Sequence, residues 1–441
     1  MGRLTPAIHF NRRRAVAGRY ARATVSRGAK APSETAPKAD LEQLHARYEA
    51  IVNGIPGPFA FVDLDAARSN SARMLAQAGD LPIRIASKSI RSTALLRRFT
   101  DLDDRYRGVL AFTAREALHL SANGFDDIIV GYPTVDRDAI AEIAAIAAER
   151  PQAAPALMVD EESHLDLIES TIGAGRTSIP VVIDIDTSWW PGRGRVARVG
   201  PKRSSIRTPQ KAGQFAAQIA ERPGLHLRGV MAYEGQIAGV GDNVSGKPLR
   251  SAAIRQMQSR SLDELRQRLP EVIAAIRDAA SEPAVINCGG TGSLARSRQL
   301  GVANELTAGS GFYAPALFDS YRSLDLTPAA FFCLPIVRRP HPGVVTALGG
   351  GYVASGAPGG DRLPLPYPPR GLGYDSDEGA GEVQTPLVGA AARELRVGDR
   401  VYMRHAKAGE LCERFDSLLV VEGDRVVDEV PTYRGEGKAF L

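Results

Sequence analysis

Cysteine is scarce in this chain: three residues in 441, Cys288, Cys333 and Cys412, spaced too widely for a CxxC pair or a disulfide framework. Their spacing points to a reducing compartment, and a cytoplasmic location is expected. No run of about 18 uninterrupted apolar residues exists, so no membrane span is expected. The Walker spacing GxxxxGK[ST] is missing, which argues against nucleotide hydrolysis of that type. No segment recurs closely enough to suggest a solenoid. Acidic residues are nearly missing from one stretch. Residues 1–38 hold nine Lys or Arg against the single acid Glu34, a local charge of +8. The whole chain carries only +5, which leaves the rest at −3. The high isoelectric point therefore resides in the head, and no nucleic-acid partner is expected for the folded part.

The basic head has no long apolar segment of the secretory kind. Its Arg-rich, acid-poor composition suits either a disordered extension or an organelle transit peptide. Residues 1–45 are expected to be this disordered head.

From about Pro58 onward, short β-branched runs alternate with amphipathic helical stretches. PFAFVDLD (58–65), PIRIASKS (82–89), GVLAFTA (108–114), DDIIVGYP (126–133), ALMVDEE (156–162), IPVVIDIDT (179–187), LHLRGVMAYEG (225–235), AVINCGGTGS (284–293) and NELTAGSGFYA (304–314) read as strands. The stretches between them read as helices, the clearest being DRDAIAEIAAIAAER (136–150). This rhythm argues for parallel βαβ units, and the strand count favours a closed (β/α)8 TIM-type barrel over an open doubly wound sheet. The barrel is expected over residues 46–327. After Pro328 the text turns mostly to strands, with hairpin-turn signals at GDR and EGDR. Residues 328–441 are thus expected to form a second, mainly β domain. The Gly-, Pro- and Asp-rich stretch 357–381 reads as a mobile insertion or lid.

Lys88 stands at the carboxyl end of the second strand, the end where barrels place their active sites. A lysine there is costly unless its ammonium is paired or its pKa falls. Held as a neutral amine it can form a Schiff base with an aldehyde cofactor; held by an acid it is an ordinary rim lysine. Two glycine-rich loops, CGGTGS (288–293) and AGSGFY (308–313), close the last two strands of the series. Glycine lets backbone N–H groups approach an anion, and the loops after the late strands form the usual phosphate site of a barrel. The contact residues expected there are Gly290, Thr291, Gly292, Gly309, Ser310, Gly311 and Tyr313; tight turns alone are the competing explanation. Asp184 and Asp186 alternate along one strand and share a face. Trp189 and Trp190 either cover a pocket or pack. His341, between two prolines, reads as structural.

In this order, PFAFVDLDAARSN, the lysine of IASKS, RVG at 198–200, YEG at 233–235, CGGTGS, AGSGFY, VVTALGGGYVASG, GEVQTP and GDRVYMRHAKAGELCERF resemble one family. It is the D-threonine aldolase and D-serine dehydratase branch of the alanine-racemase-like pyridoxal-phosphate enzymes, and within it the bacterial amino acid deaminase/aldolase group. The resemblance covers about residues 55–441. It implies pyridoxal 5'-phosphate as cofactor, held by Lys88, with Arg198 approaching the cofactor ring and Tyr233 packing near it. Surface and core roles are the alternatives for these two residues. It also implies that His405 contributes from the second domain, and homodimers are a family-level expectation. In the family a histidine here belongs to an HxD or HxC pair that binds a divalent metal. This chain reads His405-Ala406-Lys407, and lysine is a poor ligand unless deprotonated. A metal at His405, with Glu410 or Cys412 substituting, stands as one expectation. The other is that the Lys407 ammonium occupies the metal's place and polarises a substrate hydroxyl, with His405 as general base or acid.

The implied activity is that of a lyase on a small β-hydroxy amino acid, D-configured, by retro-aldol cleavage or by dehydration and deamination. A racemase using Lys88 and Tyr352 as opposed bases is the enzymatic alternative. A non-catalytic pyridoxal-phosphate carrier is the alternative outside enzymes.

Overall fold

The structure, a computed structural model, describes residues 38–173 and 177–441. Most of the basic head lies outside the described residues. Residues 38–45, expected to belong to it, instead open helix α1 (Lys38–Ile51). The reason is burial: Leu41, Tyr48 and Val52 are almost fully enclosed.

Eight parallel strands close into a barrel in chain order: β2 (Ile83–Ala86), β3 (Tyr106–Ala111), β4 (Ile128–Val130), β5 (Ala156–Val159), β6 (Ile179–Asp184), β7 (Leu225–Ala232), β8 (Val285–Cys288) and β9 (Glu305–Ala308). Ile83 pairs with Leu306 to complete the ring. Side chains alternate across each strand. Leu110, Ile129, Ala156, Met158, Val182, Met231 and Val285 form one cluster, distinct from the large core to which their strand neighbours belong. Arg84 is fully buried, and Glu305 grips it with two bonds of 2.7 and 2.8 Å. Asn287 donates to the same carboxylate at 2.7 Å. A buried guanidinium with a bidentate acid partner avoids the cost of an uncompensated charge.

Helices follow the strands where a short polar side chain accepts from the first turn. Ser92, Thr113, Asp136 and Thr208 cap the helices Thr93–Thr100, Ala114–Ala122, Arg137–Glu149 and Pro209–Ala220. The stretch read as helical over 249–281 is a helix over Pro248–Ala279.

The strand at the start of the series, β1 (Phe59–Asp63), differs from expectation: it is not a barrel strand. It lies in the second sheet, antiparallel to β10 (Ala330–His341) and parallel to β16 (Ser417–Glu422). Its five residues are buried on both faces, Phe59 and Phe61 against α1 and Ala60 and Val62 against the main core. The chain therefore begins the second sheet, builds the barrel, and returns to finish the sheet. The rest of the sheet comprises β11 (Val344–Leu348), β12 (Leu365–Pro366), β13 (Leu372–Tyr374), β14 (Gln384–Gly389), β15 (Arg400–Arg404) and β17 (Arg425–Pro431). The EGDR turn does join a hairpin, β16 to β17, with Glu422 opposite Arg425. The GDR at 398–400 instead leads into β15, which pairs with β10 and β12. The stretch 357–381 is not a free lid along its length: β12 bonds to β15 and β13 to β14.

No helix among the described residues is long and apolar enough to cross a membrane.

Candidate active site

Lys88 sits in a single helical turn, Ser87–Ser89, directly after β2. Ser87 Oγ donates to the Leu110 carbonyl at 3.0 Å, and Arg91 Nε donates to the Lys88 carbonyl at 3.1 Å. The turn is thereby fixed from both ends. Lys88 Nζ donates to Tyr132 Oη at 3.0 Å and forms no ion pair among the described residues. The acid-held rim lysine is therefore not what is built.

Tyr132 follows β4 at the same mouth of the barrel. The Arg203 guanidinium, from the loop after β6, lies 5.2 Å from the Tyr132 ring centre and 5.3 Å from that of Tyr233. Burial raises the Tyr132 pKa, but the charge and hydrogen bond of Lys88, with the charges of Arg203 and Lys407, outweigh it and hold the phenol below its usual range. Burial pushes Tyr233 up to about 12. Asp184, facing Arg203 across a small cavity that also touches Ser204 and Tyr233, is pushed up to about 7 by burial and by the neighbouring charges of Asp160 and Asp186.

The two glycine loops lie side by side. Thr291 Oγ1 accepts from the backbone N–H of Gly309 (3.4 Å) and of Gly311 (3.2 Å). Glu234, fully buried, accepts from Gly289 N–H (3.1 Å), from Ser293 Oγ (2.9 Å) and from Ser297 Oγ, so it anchors the first loop from below. A Cβ at Gly290 would lie 3.2 Å from the Tyr233 ring, and one at Gly309 would lie 3.1 Å from Ser89 Cβ. Glycine is thus required at Gly309 for close approach to the Lys88 turn. The backbone N–H groups of Thr291, Gly292 and Ser310 have no protein acceptor among the described residues. Tyr313 is fully buried; its hydroxyl donates to the Ile90 carbonyl at 2.9 Å, and its ring meets His405 edge-on.

The second domain reaches the same mouth through the residues after β15. His405 Nδ1 lies 3.3 Å from the Ala330 carbonyl, which can only accept, so Nδ1 carries the proton. Nε2 is buried and has no hydrogen-bond partner among the described residues. Burial, reinforced by the Arg404 charge, pushes the His405 pKa down to about 3, so the ring is neutral at working pH. Lys407 Nζ donates to Ser355 Oγ (2.7 Å) and lies 3.5 Å from Glu410, which also accepts from Ser355 N–H.

Of the residues expected from sequence, Lys88, Tyr233, the two loops and the 405–407 segment gather at one end of the barrel. Arg198 does not join them: its guanidinium stacks 4.1 Å from the centre of the Trp190 ring, and Arg203 takes the inner position. Five arginines between residues 193 and 207 gave no spacing cue to choose among them. Tyr132, also missed, had one cue: it ends a barrel strand, in GYP. Tyr352 packs on Phe332 and Phe415, with Arg414 over its ring.

A divalent metal finds no donor set here. Among the described residues no group of three His, Cys, Asp or Glu stands together as ligands. Burial pushes the Cys412 thiol up to about 12, and its Sγ lies 3.2 Å from the Ile90 carbonyl, to which it donates. Glu410 is engaged by Ser355, and an ammonium follows His405 by two residues. Pyridoxal phosphate does fit: among the described residues, a primary amine without an acid partner, loop N–H groups without a protein acceptor and a guanidinium without an ion pair converge.

A lysine amine at the carboxyl mouth of a parallel barrel, faced by a β domain, defines a class of two-domain barrel proteins. The chain belongs to the family described as alanine racemase, N-terminal domain, whose model matches residues 62–315, more than half of its length. It is similar to a 3-hydroxy-D-aspartate aldolase of Paracoccus denitrificans (strain Pd 1222), 23% identical over 258 residues. That match spans 58% of this chain and 60% of the relative. Among solved structures it resembles D-threonine aldolase from Filomicrobium marinum, with a TM-score of 0.71 at 23% identity over 86% of this chain and 96% of that one. D-threo-3-hydroxyaspartate dehydratase from Delftia sp. HT23 follows the same fold, with a TM-score of 0.65 at 18% identity over 87% and 98%.

Proposed function

We propose that the chain is a pyridoxal-phosphate-dependent lyase that cleaves a small β-hydroxy-D-amino acid to glycine and an aldehyde. The observation that carries this reading is Lys88 Nζ, which among the described residues bonds to a phenol and pairs with no acid, at the mouth where the glycine loops leave N–H groups without a protein acceptor. The names of the similar proteins support the substrate class and the D configuration.

Lys88 would hold the cofactor through its amine, and the N–H groups of Thr291, Gly292 and Ser310 would receive its phosphate. When bound, pyridoxal phosphate supplies an electron sink for negative charge at the substrate's α-carbon. Arg203, whose guanidinium lies over both the Tyr132 and Tyr233 rings, would supply the cation for the cofactor ring rather than Arg198. The Lys407 ammonium, whose charge reaches Tyr132 at the same mouth, is the group for the β-hydroxyl oxygen, and the buried, neutral His405 positions the loop that carries it through Ala330 and Tyr313. Retro-aldol cleavage is preferred over dehydration because two of the similar proteins are named as aldolases.

The test is a peptide map after borohydride reduction of cofactor-loaded protein, followed by assay on β-hydroxy-D-amino acids. A phosphopyridoxyl adduct on Lys88 and release of glycine are expected. An adduct elsewhere sinks the cofactor assignment, and keto acid with ammonia in place of glycine sinks the retro-aldol one.

A further inference from the structure

We propose that Tyr132 is the proton partner of Lys88, taking the ammonium proton when the amine must react and returning it when the amine is set free. This rests on Lys88 being the cofactor lysine.

A lysine amine reacts only when neutral, so an ammonium must first give up a proton. Lys88 thus needs a base within reach. The group within hydrogen-bond distance is Tyr132 Oη, at 3.0 Å. Among the described residues no carboxylate pairs with Lys88 to hold its charge in place. The phenol is set rigidly: Gly131 N–H donates to the Ala111 carbonyl at 2.7 Å, fixing the chain one residue before it. Arg203 covers the ring at 5.2 Å. The groups facing Tyr132 come from four elements: Lys88 after β2, Arg203 after β6, Tyr233 after β7 and Lys407 after β15. Three of these are cations and the fourth is a neutral phenol, so the surroundings make this phenol easier to ionise than an ordinary tyrosine. Burial opposes this, and the cations prevail.

The step conserves atoms and charge. One proton passes from Nζ to Oη, an ammonium and a phenolate become an amine and a phenol, and no further reactant is required. The exchange removes a charge pair from a partly enclosed site without moving a heavy atom.

The test is the rate at which the full-length, cofactor-free chain takes up pyridoxal phosphate, read by absorbance between about pH 6 and 10. For Tyr132→Phe, which keeps the ring under Arg203, the rate near pH 7 is expected to fall about tenfold or more, and to converge with the unaltered protein near pH 10. Equal rates at every pH would overturn the inference. A second measurement holds even if that variant misfolds: an ultraviolet titration of tyrosinate in the unaltered protein and in Lys88→Met. One tyrosine ionising below the ordinary range, and rising when Lys88 is removed, is expected; its absence overturns the inference. Failure of the unaltered protein to form the Lys88 adduct strikes the parent reading, whereas equally fast adduct formation without Tyr132 strikes this one alone.

Discussion

Gly409 of the second domain rests on the backbone of Lys88 so closely that a Cβ there would stand 2.0 Å from the Lys88 carbonyl oxygen. Its φ of +89° is also one that side-chain-bearing residues avoid. The loop that carries His405 and Lys407 is thereby seated against the lysine turn by backbone contact. Gly409→Ala combines left-handed strain with a backbone clash, and a loss of about 3 kcal/mol is expected. Chemical unfolding with parallel cofactor-uptake assays checks it. A variant as stable as the parent, with normal uptake, would mean that the contact is slack.

Glu116 lies beneath the same turn, fully buried, accepting from Phe112 N–H (2.6 Å) and Tyr433 Oη (2.7 Å). Burial raises its pKa from 4.5 to about 7. Between those values the unfolded chain loses a proton that the folded chain keeps. Its contribution is thus fully present below about pH 4.5, falls as pH rises, and levels off above about 7. The difference in unfolding free energy between the unaltered protein and Glu116→Gln should slope across that window by up to about 3 kcal/mol. A flat difference in urea unfolding across these pH values would count against a protonated Glu116.

Two arginines five residues apart should behave differently. Arg203→Met is expected to weaken pyridoxal-phosphate binding about tenfold, a change of about 1.4 kcal/mol, while Arg198→Met leaves it nearly unaltered. Fluorescence titration of the cofactor-free chain separates them. The reverse order would return the ring contact to Arg198.

Exhaustive chelation is expected to leave glycine release within about twofold of its starting rate, since among the described residues no set of metal-ligand side chains converges beside His405. Activity lost to the chelator and restored by manganese or zinc would reverse this, and would require Lys407 to move aside.

Much of the fold was readable before any coordinates. Strand-length β-branched runs and 3.6-residue periodicity are local signals, so the eight barrel strands and the helices between them fell close to their expected places. Lys88 was legible because it directly follows a strand, and the glycine loops because glycine runs at strand ends are uncommon without a purpose. The segments AAFFCLPIVRRP (329–340) and SLLVVEGDRVVDEVPTYRG (417–435) likewise read as strands by composition.

Partnership was not readable. β1 has the same local character as a barrel strand, and only its hydrogen bonds to β10 and β16 place it in the second sheet. Arg203 and Arg198 sit in one irregular loop, where no period says which side chain turns inward. Tyr132 gains its meaning from Lys88, 44 positions away in sequence, and from Arg203 and Lys407, which closure of the barrel and docking of the second domain bring alongside. The sequence by itself determined which elements form and where a reactive amine stands. Only the tertiary structure decided which groups surround that amine, because side chains far apart in the chain acquire a common field only when packing sets the distances between them.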